Sequence, residues 1–234
     1  MRDINFFTMK TINYLIVIAV LTVLVSGCKK SEDQQPLYLG FDYFPINNGH
    51  ELIYDADSII TDEFSQTTRT HHFQIKEIID STYLDNEGRP TQLIERYIRD
   101  SSNAPWIIFK VASATITNTR AERFEDNIRY VKLVFPVNQD INWNGNALNT
   151  NETKDYQYTD VHTGLTLNGI NYDSVLTVLQ DEEINLIENR YFLEQYAARV
   201  GMIYKENIKQ VLDFNNQTVK SGYIYKETLI SYTP

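Results

Sequence analysis

Apolar and polar side chains alternate along much of the chain beyond residue 70, and the alternating runs stop at Gly, Asn, Asp or Pro. A period of two sends one set of side chains to each face of a sheet, so this pattern predicts β-strands. Residues 72–84 form the first run, and Asp85-Asn-Glu-Gly88 closes it as a turn. Residues 92–98 pair back on it as a hairpin. Ser101-Ser-Asn103 breaks the chain again. Residues 106–112 and 128–135 are the next strands, with a polar turn near 118–120. Pro136 then stops the strand that Phe135 ends, because proline cannot donate to a ladder. A long loop over 138–154 carries Trp143-Asn-Gly-Asn146. Residues 156–161, 165–167 and 174–180 read as further strands, with Thr163-Gly164 and Asn168-Gly169 as turns.

The clearest element lies near the C-terminus. Gly201-Met-Ile-Tyr-Lys-Glu206 and Gly222-Tyr-Ile-Tyr-Lys-Glu227 share the pattern Gly-x-Ile-Tyr-Lys-Glu, separated by the turn-forming run Asp213-Phe-Asn-Asn-Gln217. A turn centred on Asn215-Asn216 would set Tyr204 opposite Glu227. Residues 182–199 fit either a helical stripe (Ile184, Ile187, Tyr191, Phe192) or a long strand leading into Gly201, and the strand is the reading adopted. The fold expected is mainly β: a single antiparallel, strongly curved sheet or half-barrel-like domain over 37–234, with at most one or two helices. A short echo, Phe44-Pro-Ile-Asn47 and Phe135-Pro-Val-Asn138, hints at two similar half-sheets.

Before this domain the pattern changes. Met9-Lys10 and the apolar stretch 14–25, closed by the small residues Ser26-Gly27, have the three parts of a secretory signal. The run is shorter than the ~20 residues of a spanning helix and ends in Gly-Cys-Lys-Lys. Met9 would serve as a start by itself, since Asp3 places an acid where such signals avoid one. The segment up to Cys28 resembles the lipobox of bacterial lipoproteins. That resemblance implies cleavage between Gly27 and Cys28, a diacylglyceryl thioether on the Cys28 sulfur, and usually a third, amide-linked chain. Several chains anchor a protein where one would bind only reversibly. Residues 28–36 would be the acylated cysteine and a flexible tether. Lys29, rather than Asp, follows the anchor, which points to the outer membrane, facing the periplasm or the cell surface.

Loss of residues 1–27 removes Arg2, Lys10 and Asp3, leaving 19 basic and 30 acidic residues and a net charge of −11. Nucleic acid is thereby excluded, because its binding rests on neutralising phosphates. Cys28 is the only cysteine, so packing alone must hold the mature domain. Sixteen tyrosines suit half-buried sheet faces, with the ring packed and the hydroxyl wet.

Three further patches resemble uncharacterised Bacteroidota lipoproteins. They are Tyr43-Phe-Pro45 with Gly49 and Tyr54-Asp55; Leu133-Val-Phe-Pro136 with Trp143-Asn-Gly-Asn146; and Tyr196-Ala-Ala-Arg-Val-Gly201 with Ile203-Tyr-Lys-Glu206. The resemblance implies an antiparallel β-fold and a cell-envelope address, and it brings no catalytic set.

The search for chemistry yields little. His71 and His72 are adjacent and point to opposite faces of a strand, so they share no ordinary metal site with each other. His50 and His162 are distant in sequence. Asp160, Asp173 and Glu206 are candidate carboxylates for a glycosidase, and Asp55, Asp57, Asp62 and Glu63 lack the spacing of a calcium loop. No Gly-x-Ser-x-Gly elbow or phosphate-cradling loop is present. No catalytic residue, metal or cofactor is assigned. A ligand surface at Trp143, Tyr156 and Tyr158 is expected. The function expected is a non-enzymatic envelope binding or accessory module for a protein, carbohydrate or lipid. The alternatives are a lipid or lipoprotein carrier with a half-barrel cavity, and an envelope hydrolase.

Overall fold

The computed structural model describes residues 37–234. Gly27, Cys28 and the whole anchor segment lie outside the described residues. Within them the chain forms one antiparallel sheet of twelve strands, preceded by a single 3-10 turn, Phe41–Tyr43. The first six strands are β1 (Glu51–Asp62), β2 (Thr67–Leu84), β3 (Pro90–Arg99), β4 (Ile107–Ile116), β5 (Arg120–Glu125) and β6 (Ile128–Val134). The second six are β7 (Asn142–Asn144), β8 (Asp155–Leu167), β9 (Ile170–Ile184), β10 (Glu188–Ala197), β11 (Gly201–Leu212) and β12 (Val219–Thr233). The spatial order is β6-β5-β4-β3-β2-β1-β12-β11-β10-β9-β8-β7. Two six-stranded meanders thus join where the first strand meets the last, and the sheet curls into a nearly closed barrel. The Phe-Pro echo falls at matching places, just before β1 and just before β7.

The seam between β6 and β7 is closed by side chains and a loop rather than by a ladder. Trp143 Nε1 donates to the Val131 carbonyl at 2.9 Å. The Tyr158 hydroxyl accepts from Val134 N–H at 2.9 Å and donates to its carbonyl at 2.8 Å. Val131 N–H donates to the Gly145 carbonyl at 2.9 Å, and Asn149 Nδ2 to that of Arg129 at 2.9 Å. These bonds satisfy edge groups that would otherwise template aggregation.

One end of the barrel, the base, is stoppered by residues 39–50. Tyr43 and Phe44 are buried there with Phe135, Val137 and Tyr196. Gly49 N–H donates to the Ile79 carbonyl (2.7 Å), Arg199 N–H to that of Asp42 (2.6 Å) and His50 Nε2 to that of Val200 (2.9 Å). The Tyr43 hydroxyl bonds Ser174 Oγ at 2.6 Å and His162 Nδ1 at 2.7 Å.

The barrel's outer face is polar where β1, β2 and β3 cross it. Gln74 donates to Asp55 at 2.7 Å and accepts from Arg99 at 2.7 Å. A lipid-facing barrel would carry an apolar band instead.

Several sequence expectations change. Residues 120–125 form a strand of their own, β5, whose charged pattern Arg-Ala-Glu-Arg-Phe-Glu hid it. Thr163-Gly164 is no turn: β8 runs through it, irregular at three register shifts. The 138–154 loop contains the short strand β7. Within 182–199 a turn separates β9 from β10, where Asn185 Oδ1 accepts from the N–H groups of Ile187 and Glu188, each at 2.9 Å.

The C-terminal register also differs. Next to the turn, Leu212 pairs with Val219, as a centre at Asn215-Asn216 requires. A bulge at Lys220 then shifts the ladder by one, so Lys205 rather than Tyr204 faces Glu227. The unshifted register would have set Lys205 against Lys226. Gly222 accommodates the bulge: its φ is +126°, and a Cβ there would lie 2.1 Å from the Lys209 carbonyl oxygen.

Candidate functional site

The inward positions of the strands alternate as the pleat requires, but several carry charge. On β2 the inward run is Phe73, Ile75, Glu77, Ile79; on β12 it is Tyr225, Glu227, Leu229. On β11, Ile203 is followed inward by Lys205 and Asn207, and on β10 Glu194 sits between Phe192 and Tyr196. Arg96, Arg123, Glu125 and Lys132 complete the set. These eight residues, four acidic and four basic, line the central cavity, which is about 60 Å³.

Arg123 grips Glu77 with both Nη atoms, at 2.7 and 3.1 Å, and its Nε donates to Glu125 at 3.2 Å. Arg96 Nη2 donates to Glu227 Oε1 at 2.9 Å. Its Nε lies 2.7 Å from Glu77 Oε1, yet off the line of a hydrogen bond. Lys132 Nζ is 2.6 Å from Glu194 Oε1, Lys205 Nζ is 3.6 Å from the same oxygen, and Tyr196 donates to Glu194 Oε2 at 2.6 Å. Burial by itself would raise the Glu77, Glu125 and Glu194 carboxyls; the neighbouring cations outweigh it and hold all three below the ordinary range, Glu194 at about 2. The partners are not symmetric. Burial wins at Lys132 and lowers its pKa, whereas at Lys205 the surrounding carboxylates overcome burial and raise it. The Tyr54 and Tyr196 hydroxyls are pushed up by burial and stay neutral.

Away from the base, the charged layer opens into a mouth. A cavity of about 370 Å³ shares Glu125, Lys132, Glu194 and Lys205 with the central one. A shallow outer basin of about 780 Å³ shares Asn146, Asn151, Lys154 and Gln180 with that cavity. The loop after β7 forms one wall, where the Tyr156 ring lies over Gly145 so closely that a Cβ there would come within 2.4 Å of it. Lys154 Nζ bonds Asp181 at 2.6 Å and sits 4.5 Å from the centre of the Phe192 ring.

The expected ligand surface is largely absorbed by structure. Tyr158 is fully buried and Trp143 is half-buried in the seam, its ring 4.6 Å from that of Tyr158. Of the three aromatics, only Tyr156 lines the mouth. The histidines are dispersed. His50 and His162 bond within the base, His71 is 3.4 Å from Asp100, and His72 bonds Asp57 at 2.7 Å, which raises the His72 pKa. Among the described residues no cluster of three or more His, Cys, Asp or Glu could hold a metal ion. Asp160 and Asp173 are exposed, and Glu206 pairs with Lys226 at 2.7 Å; none of the three lines the mouth.

The inward charges do not stand out in the sequence, because acids are frequent in this chain. The usable signal was a charge two residues from an apolar neighbour on each side, as in Ile75-Lys-Glu77-Ile-Ile79 and Tyr225-Lys-Glu227-Thr-Leu229.

No protein-family model matches the chain, and no curated protein does. Several solved structures resemble it distantly. One is a candidate exported protein with a YmcC-like fold from Bacteroides fragilis, at 9% identity and a TM-score of 0.41, over 82% of this chain and 98% of that one. Another is a candidate lipoprotein from Parabacteroides distasonis, at 9% identity and a TM-score of 0.35, over 85% of this chain and 100% of that one. Likeness at this level carries no argument about what the chain does.

Proposed function

We propose that this chain is a lipid-anchored envelope protein whose barrel takes a small polar ligand at its mouth, without catalysis. The interior carries the reading: eight paired charges leave a central space of only about 60 Å³. Among the described residues the central space is charge-lined and far too small for an acyl chain, which argues against the lipid-carrier alternative. The mouth cavity, at about 370 Å³, falls within the usual range of ligand sites. A glycosidase needs a carboxyl raised to serve as proton donor, whereas Glu77, Glu125 and Glu194 are all held down. The lipobox resemblance at Cys28 supports the membrane address, with the outer membrane as the expected destination.

Two measurements test this reading. Metabolic labelling with a fatty acid should tag the protein and vanish in Cys28→Ser; a tag that persists would remove the anchor. A fluorescent fatty acid should show no saturable binding to the barrel, and saturable binding inside it would restore the carrier. A second reading, an accessory subunit of an envelope complex, is favoured by exposed apolar hairpin tips, notably Phe64, Leu186 and Phe214.

A further inference from the structure

Resting on the polar-ligand reading, we infer that the mouth binds an uncharged, polyhydroxylated ligand: a neutral saccharide unit held by Gln180 and Asn207. The ions of the mouth already have partners. Lys132 has Glu194, Lys154 has Asp181, Glu125 has Arg123, and Lys205 stands beside Glu194 and across the ladder from Glu227. A charged ligand would have to break one of these pairs, each partly or wholly out of water, and strand the counter-charge.

What the protein leaves unmet is neutral. Gln180 is 5% exposed, and its Nε2 has no protein partner. Asn207 Oδ1 is buried and equally unmatched. Both residues line the mouth cavity. They stand on either side of Phe192: Asn207 is its cross-strand partner on β11, and Gln180 sits at the β9 bulge, where the ladder shifts between Phe192 and Leu193. A buried amide donor and a buried amide acceptor call for a group that can do both. A hydroxyl does, and adjacent hydroxyls on a ring would reach both amides while its C–H face lies against the Phe192 and Tyr156 rings. Sites built to hydrogen-bond a hydroxyl discriminate strongly, because an analogue lacking it leaves their buried groups unpaired.

The test uses the full chain in a detergent without a sugar headgroup. The side-chain NH2 resonances of Gln180 and Asn207 are followed by nitrogen-15 NMR during titration with neutral mono- and disaccharides, the corresponding uronic acids and a fatty acid. The expected result is saturable movement of both resonances with a neutral saccharide. Asn207→Ala and Gln180→Ala should each weaken that binding tenfold or more, and Trp106→Ala, at the turn before β4, should leave it unchanged. The wild-type titration needs no variant, so a misfolded substitution cannot mask the answer. Unmoved resonances with every neutral saccharide would overturn the inference, as would binding that survives both amide replacements. If only the uronic acids bind, the inference fails and the polar-ligand reading stands. If only the fatty acid binds, both fail.

Discussion

The two ends of the barrel solve opposite problems with one alternation rule. At the base most inward residues are apolar and the stopper 39–50 adds Tyr43 and Phe44, so the groups paired there are neutral ones: the Tyr43 hydroxyl with Ser174 and His162, the His50 ring with the Val200 carbonyl, and backbone groups. Toward the mouth the same inward positions carry eight charges, and each must find its counter-charge or remain at a cost. The base is held together by burial, which tolerates small errors of position. The mouth is held by pairing, which tolerates the loss of a whole pair better than the loss of one member. The difference makes the mouth end specific and the base end robust.

The most damaging change should therefore lie in the charged layer. Glu194→Ala leaves Lys132 and Lys205 facing each other across a buried space, and the expected loss is about 3–5 kcal/mol by urea denaturation. Pairing that change with Lys132→Met should recover most of it. A single-variant loss below about 1 kcal/mol would mean that water screens the layer, and the contrast between the ends would collapse. At the base, Phe44→Ala should cost about 3 kcal/mol through the cavity it leaves against Tyr196 and its neighbours, with no partner change able to restore it.

Acid separates the ends in another way. The Glu194 carboxyl is held at about 2 by Lys132, Lys205 and Tyr196. A depressed carboxyl stabilises the fold fully above its unfolded pKa, ordinarily near 4.5, and the contribution is lost as pH falls toward 2. Its size is on the order of 3 kcal/mol, partly offset by the cost of keeping Lys132 charged. Glu77 and Glu125 act in the same direction. Between pH 4.5 and pH 3, protection factors (exchange relative to the intrinsic rate at each pH) should therefore fall along β5, β10 and β11 before they do along the base segment. Simultaneous loss at both ends would show a single cooperative unit instead.

The seam is a milder case. Trp143→Phe keeps the ring and removes the N–H to the Val131 carbonyl, for an expected loss of about 1 kcal/mol and faster exchange along β6.

How far these features could be read in advance depends on whether local pattern or long-range pairing sets them. The strands, the main hairpins and the antiparallel class follow from alternation and turn residues, both local. Strand β5 escaped because four of its six residues are charged, and its structure comes from neighbours: Glu122 accepts from Arg89, Arg120 and Arg129. The phase of the C-terminal hairpin escaped because a bulge leaves little local trace. Its consequence is large. The same Ile-Tyr-Lys-Glu tetrad points Lys205 inward on β11 and Glu227 inward on β12, so antiparallel pairing sets Lys205 against Glu227 inside and Glu206 against Lys226 outside. Without the bulge both attractions would be lost, with Lys205 set against Lys226 and Glu206 against Tyr225. The aromatics at 143–158 read as a ligand surface in the sequence, but three-dimensional placement spends Trp143 and Tyr158 on the seam.

The smallest expected effect is the most discriminating between pairing and burial. Asn207→Ala removes an acceptor that has no protein donor, so no partner is orphaned by its loss. Stability should stay within about 0.5 kcal/mol of the wild type, or rise slightly as the unmatched oxygen disappears. Glu194 is joined to Asn207's strand through Lys205, yet its removal should cost several times more. Two inward polar residues in one layer would then differ in effect solely because one is partnered by protein and the other is left for something that enters from outside. A large loss on Asn207→Ala would mean that its amide is already spoken for within the fold, and that the mouth is finished as structure rather than open as a site.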